Sequence, residues 1–157
     1  MIKIDPISLK GVEKFTKSLH EATVEAAKET AKQLRDQIEK NLRTGYDEPV
    51  EGYGGTWPEL SPERYYTLMR ANLLPHSGLV AETENLVNSL KMEEAGNNKF
   101  RVSVGEGVEY AFSQEFGGGR GQVPPRPYFN PAILHFKAQE IPKSIIKDTL
   151  AKVKVVQ

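Results

Sequence analysis

The sequence contains no cysteine in its 157 residues. That absence removes disulfide scaffolds, thiolate zinc sites, iron–sulfur clusters and a cysteine nucleophile together. It is compatible with an all-reduced cytosolic setting. Histidine is nearly as scarce. His20, His76 and His135 lie far apart, and none of their spacings places two ligands on one helical face. An excess of one charge is also missing: Lys+Arg 21 against Asp+Glu 21, with a pI of 6.9, describes neither a polycation nor an acidic tail. No apolar run approaches the ~18–20 residues of a membrane span. Residues 1–6 lack the apolar stretch of a secretory signal, so the expectation is a protein made and used in the cytoplasm, or in something assembled there.

Catalytic signatures are absent in the same way. Gly117-Gly118-Gly119-Arg120-Gly121 lacks the Lys-Ser/Thr and following helix of a phosphate loop, and Gly105-Glu106-Gly107 lacks the rest of a dinucleotide fingerprint. Ser113, Glu115 and His135 can be drawn as a triad, but no G-x-S-x-G elbow supports it. The other carboxylates are spread over solvated faces, with no pair set in apolar surroundings that would split their pKa values. The expectation is a protein that is not an enzyme and has no cofactor and no metal site.

What remains is a lean globular composition, 38% hydrophobic and 27% charged, with a mean hydropathy of −0.50. The neutral total hides a pattern. Residues 1–43 carry net +2, residues 44–98 net −6 and residues 99–157 net +4. Such segments either intermix on the folded surface or let copies of the chain meet with complementary potentials.

The first 43 residues read as one long helix. Leu9, Val12, Phe15, Leu19, Ala22, Ala26, Thr30, Leu34, Ile38 and Leu42 recur in steps of three and four. Asp5-Pro6 suits the start and Arg43-Thr44-Gly45 the end. The stripe is narrow and diluted by alanine and threonine, so it must pack on something, and a neighbouring subunit along residues 19–42 is one such surface. Steady Leu/Ile heptads of a coiled coil are missing.

Residues 44–60 hold four glycines, two prolines, four acids and no base, the composition of a mobile loop or extended arm. Trp57, the only tryptophan, sits at its exit, as an anchor to the core or an interface hot spot. Ser61-Pro62 opens a helix running to about Leu74, and Thr83 caps a shorter one over residues 84–90. The period then changes to two. Residues 90–93 and 100–104 alternate around Gly96-Asn97-Asn98, which predicts a β-hairpin with one wet face. Residues 108–112 offer a third strand before a short helical turn to Phe116. Residues 117–127 form a second mobile loop with Arg120, Arg126 and no acid. That loop can track a phosphate chain, dock on an acidic protein surface, or simply be polar surface. Asn130-Pro131 and Pro142 open two further helices, and residues 153–156 are either a terminal strand or a frayed end. The result is a single α+β domain, residues 1–157: a long N-terminal helix packed on a small antiparallel sheet, with shorter helices in the middle and at the C-terminus.

Several short motifs occur in a telling order. They are Gly55-Thr56-Trp57-Pro58-Glu59-Leu60-Ser61-Pro62, Thr83-Glu84-Asn85-Leu86-Val87-Asn88-Ser89-Leu90, Val102-Ser103-Val104-Gly105, Tyr110-Ala111, Gln114-Glu115-Phe116-Gly117-Gly118 and Pro125-Arg126-Pro127-Tyr128-Phe129-Asn130-Pro131-Ala132. In this order they resemble the tail-completion and neck proteins of long-tailed double-stranded DNA bacteriophages, also called virion-morphogenesis or minor tail or capsid proteins. The likeness spans residues 55–132, about half the chain. Each motif is weak alone, and the order gives them weight. Glu84 stands where the family has glycine, residues 74–78 look inserted, and the last aromatic is doubled as Tyr128-Phe129. These departures blur the choice between tail completion, tail terminator and head–tail joining.

The resemblance implies a non-enzymatic structural protein of the virion neck or tail, assembled in the bacterial host cytoplasm. It would form a ring with itself, commonly a hexamer, and meet head–tail connector and tail-tube or terminator proteins. Non-specific contact with DNA in the lumen would be allowed, and no membrane is involved. Trp57, Phe116, Arg120, Arg126, Tyr128 and Phe129 are the candidate subunit or partner contacts, with core anchoring the first reading for Phe116 and Phe129. The competing reading is a nucleic-acid-binding accessory protein using Arg120, Arg126, Lys143, Lys147, Lys152 and Lys154 of the basic C-terminal third.

Overall fold

The computed structural model describes residues 9–44, 61–70, 80–118 and 124–153. The order of elements is α1 (Leu9–Thr44), α2 (Pro62–Arg70), α3 (Val80–Asn88), β1 (Lys91–Glu94), β2 (Phe100–Ser103), α4 (Ala111–Phe116), α5 (Phe129–Ala138) and α6 (Ile141–Ala151). The class is mixed, as expected: a long N-terminal helix, a two-stranded antiparallel sheet, and shorter helices in the middle and at the C-terminus.

Helix α1 is the spine on which α3, α5, α6 and the hairpin pack, and its contact with α6 is the most extensive. Ala26 and Ala31 of α1 are buried and present only a methyl group each. The helix accommodates its threonines by back-bonding, Thr16, Thr23 and Thr30 donating to the carbonyls of Val12, His20 and Ala26. On the wet side, Glu39 accepts from both Arg35 and Arg43, one turn away on either side, at 3.0 and 2.9 Å.

The apolar stripe of α1 divides. Ile38 and Leu42 are buried in a core with Leu86, Val87 and Leu90 of the α3 region, and with Ala111, Tyr128 and Ala132. Val12, Phe15 and Leu19 remain exposed. Intersubunit contact along residues 19–42 is therefore corrected at its C-terminal half. The chain's own core covers Ile38 and Leu42, and the uncovered apolar part lies at and before Leu19. Full burial of a side chain such as Ile38 or Leu86 stabilises by about 1.5–3 kcal/mol, which is why this end of the helix is not left open.

The hairpin forms where the period of two appears. Lys91 faces Ser103, Met92 faces Val102, Glu93 faces Arg101 and Glu94 faces Phe100. Val102 and Phe100 are half-buried, while Glu93 and Arg101 are exposed and opposite in charge. The turn is closed by Lys99 N–H donating to the Gly96 carbonyl at 3.0 Å. Asn97 and Asn98, its two central residues, have φ of 49° and 58°. Positive φ at both positions is what the hairpin-favouring mirror-image turn requires, and asparagine tolerates it.

The third strand expected at residues 108–112 does not form. Gly105 at φ 87° and Gly107 at φ 74° wind the chain tightly, Val108 N–H donates to the Gly105 carbonyl, Ala111 N–H donates to the Val108 carbonyl, and α4 begins at once. Thr83 lies inside α3 instead of capping it, because that helix starts at Val80. Of the expected loops, residues 45–60 and 119–123 lie outside the described residues, as do the start of α1, the end proposed for α2 near Leu74 and the tail after Val153.

Candidate interaction surface

Helix α4 is short, and its two faces do opposite things. Ala111 and Glu115, one turn apart, point inward and are buried. Phe112 and Phe116, also one turn apart, point outward and remain 71% and 58% exposed. Their rings lie against each other with centroids 4.7 Å apart and planes tilted by 42°. Two large apolar rings held in water by a helix whose other face is locked into the core form a preorganised contact surface.

The lock is Glu115. Its Oε2 accepts hydrogen bonds from the backbone N–H groups of Tyr128 at 2.8 Å and Phe129 at 3.0 Å, and its Oε1 accepts from Asn130 at 2.9 Å. These are N–H groups at the start of α5, which have no partner within the helix itself. The N-cap residue, Tyr128, makes no side-chain cap bond, so a carboxylate from another helix takes that role and also meets the positive end of the helix dipole. A second bond ties the same two segments: Arg126 N–H donates to the Gln114 carbonyl at 2.6 Å. Gln114 Oε1 is buried without a hydrogen-bond partner among the described residues, which makes this junction locally costly.

Tyr128 joins the junction to the spine. Its hydroxyl donates to the Ala111 carbonyl at 3.2 Å, and its own carbonyl accepts from Asn41 Nδ2 at 2.9 Å. Asn41 is in turn oriented by Gln37 Nε2, which donates to Asn41 Oδ1. Burial pushes the Tyr128 hydroxyl up to about 12, with the Glu115 charge and Tyr110 adding to the same effect. Tyr110 is also raised, first by burial, against a hydrogen bond with Asn85 that lowers it. Beneath the turn, Ser89 Oγ donates to the Leu86 carbonyl and accepts from Gly105 N–H at 2.8 Å.

The residues singled out in the sequence fall into three groups. Trp57 and Arg120 lie outside the described residues. Arg126 and Tyr128 are buried, 6% and 3% exposed, so their side chains serve the interior of this chain. Phe129 is half-buried against the core, in line with the anchoring reading. Phe116 is not a core anchor: its buried neighbour Glu115 takes the inward position and turns the ring to solvent. His135 is half-buried, its ring edge-on to Phe136 at 6.3 Å, and Glu115 is committed to three backbone N–H groups, so the drawn triad has no carboxylate to spare. His20 is exposed, with its Nε2 3.1 Å from Asn98 Nδ2, which places the hairpin tip beside that point of α1.

No family model, curated protein or solved structure matches this chain.

Among the described residues no group of three or more His, Cys, Asp or Glu side chains is placed to hold a metal ion, and no helix is long and apolar enough to cross a membrane. The C-terminal cations Lys143, Lys147 and Lys152 are exposed, and Lys143 pairs with Glu140. Lys154 lies outside the described residues. Sequence reasoning missed Phe112 as the more exposed ring and the capping role of Glu115. The i,i+4 spacing of Phe112 and Phe116 was visible, but which face would be buried was not. The hydrogen bonds of Glu115 span 13 to 15 residues, a separation that no local pattern signals.

Proposed function

We propose that this chain is a structural component of the head–tail junction or tail end of a tailed double-stranded DNA phage or prophage. It works by associating with copies of itself into a ring and by docking neighbouring virion proteins, without making or breaking a covalent bond. The reading rests on the ordered motifs between residues 55 and 132. The observation that supports it best is that two of these motifs meet physically. Glu115 of the Gln114-Glu115-Phe116-Gly117 motif holds the first N–H groups of the helix opened by Tyr128-Phe129-Asn130-Pro131-Ala132. Motifs separated in sequence thus act as one structural unit, as parts of a shared fold would. The exposed Phe112–Phe116 pair beside that junction gives the unit a surface for assembly.

The test is removal of the gene from the phage or prophage that carries it. Electron microscopy is expected to show DNA-filled heads without attached tails, and complete tailed particles would overturn the proposal. The nucleic-acid reading loses Arg126 from its phosphate-binding set, because that side chain is buried. It is separated by titration with unrelated DNA, where accessory binding would fall steeply with salt.

A further inference from the structure

We infer that α4 and the cap of α5 form one latch, which opens and closes as a unit while the rest of the fold stays packed. The inference is independent of the assembly reading above. It starts from where the backbone N–H groups of the junction find their acceptors. Gln114 N–H donates to the Tyr110 carbonyl and Gly117 N–H to the Ser113 carbonyl, both at 2.9 Å, so both are protected only while α4 is wound. Arg126 N–H donates to the Gln114 carbonyl. The N–H groups of Tyr128, Phe129 and Asn130 have no acceptor within α5 and depend on Glu115. Amides in two different elements thus rely on the seat of one short helix.

Each half of the junction needs the other. A helix of six residues has no stability of its own in water, so α4 is wound because it is seated. The start of α5 is capped because α4 is wound, since winding holds Glu115 inward beside Ala111. Seating α4 also buries little. Ala111 and Glu115 are its buried residues, while both phenylalanine rings stay in water. Gln114 Oε1 is shut away without a hydrogen-bond partner among the described residues, and opening returns it to water. Among the described elements none packs extensively against α4, whereas α3, α5 and α6 all pack on α1. The latch therefore has less to lose than the core and opens at a lower free energy.

The contact surface is conditional on this latch. The 4.7 Å approach of Phe112 and Phe116 comes from their spacing of one helical turn, so the pair is preorganised only while α4 is wound. Whatever binds the closed pair also tightens the α5 cap on the opposite side, by mass action on the closed state.

The experiment is native-state hydrogen exchange by nuclear magnetic resonance on the full chain, under conditions where closing outruns exchange and rates report opening equilibria. The amides of Gln114, Gly117, Arg126, Tyr128, Phe129 and Asn130 are expected to share one opening constant within ~5-fold. They should open at least ~10-fold more readily than the core amides of Ile38, Leu42 and Phe136, and respond weakly to urea, because one short helix exposes little surface. Ile145→Val, in the buried contact of α6, should speed the core amides about 5-fold and leave the latch amides unchanged, since that contact survives latch opening. Glu115→Gln should speed Gln114 and Gly117, which do not touch the carboxylate, by the same ~30-fold as the amides that do. Three results would each overturn the inference: opening constants that scatter beyond ~5-fold, latch amides that follow the core in Ile145→Val, or Gln114 and Gly117 unmoved by Glu115→Gln.

Discussion

Removing the Glu115 carboxylate should be among the most damaging single changes available to this chain. The side chain is 6% exposed and accepts three backbone N–H bonds at 2.8, 3.0 and 2.9 Å. Hydrogen bonds to a charged acceptor are worth about 1.5–3 kcal/mol each, and a buried donor left unpaired costs about 1–3 kcal/mol. Simple addition overstates the loss, because Phe129 and Asn130 are only half-buried and water can reach their N–H groups once the carboxylate is gone. Glu115→Ala is therefore expected to lose about 3 kcal/mol. Glu115→Gln keeps the volume and one acceptor oxygen but turns an amide N–H₂ toward a backbone N–H, for a loss of about 2 kcal/mol. In urea denaturation followed by circular dichroism, an m-value of about 2 kcal/mol/M turns 3 kcal/mol into a midpoint lowered by about 1.5 M. The exposed Glu109→Ala serves as control and should stay within about 0.5 kcal/mol of the wild type. If Glu115→Ala unfolded within that same margin, the carboxylate would be an incidental neighbour of α5 and the junction would be held by packing alone.

Two further outcomes follow from the same region. Gly105→Ala is expected to cost about 3 kcal/mol, because φ is 87° there and an added Cβ would lie 2.5 Å from the Ala111 Cβ. Gly96→Ala, at φ 75° with nothing within 4 Å, should cost only about 1 kcal/mol, so equal melting losses for the two would remove the steric argument. The Tyr128 hydroxyl, raised to about 12 from 10.0, ionises less readily in the folded chain than in the unfolded one. Its contribution is complete below pH 10 and is lost as pH rises through 12, on the order of 2 kcal/mol. Tyr128→Phe should flatten that alkaline loss in pH-dependent urea melts, and an unchanged slope would place its origin elsewhere.

Legibility in the sequence followed the range of the forces involved. Helix α1, the hairpin and its Gly96-Asn97-Asn98 turn, and the C-terminal helices were readable because each is written in a local period or in residues with an intrinsic φ preference. Pro142 sits in the first turn of α6 as its fixed φ demands. The third strand at residues 108–112 was misread because alternation there competes with two glycines whose positive φ ends any extended run. Of the candidate contacts, Phe116 is exposed, against its first reading as a core anchor. Arg126 and Tyr128 looked like surface contacts and are interior, because a Pro-flanked segment can deliver its side chains inward as easily as outward.

The chain's own pattern thus determined which stretches are helical, where the hairpin turns, and how wide the apolar stripe of α1 is. Only the packed molecule decided which stretch of that stripe is covered and which is left for others. Coverage depends on where α3, α5 and α6 come to rest, and those positions are set by contacts such as Asn41 with the Tyr128 carbonyl and Glu115 with α5, between residues far apart along the chain. A carboxylate that caps a helix it does not belong to leaves no periodic trace, because hydrogen bonding needs two groups to meet in space and takes no account of their distance in sequence.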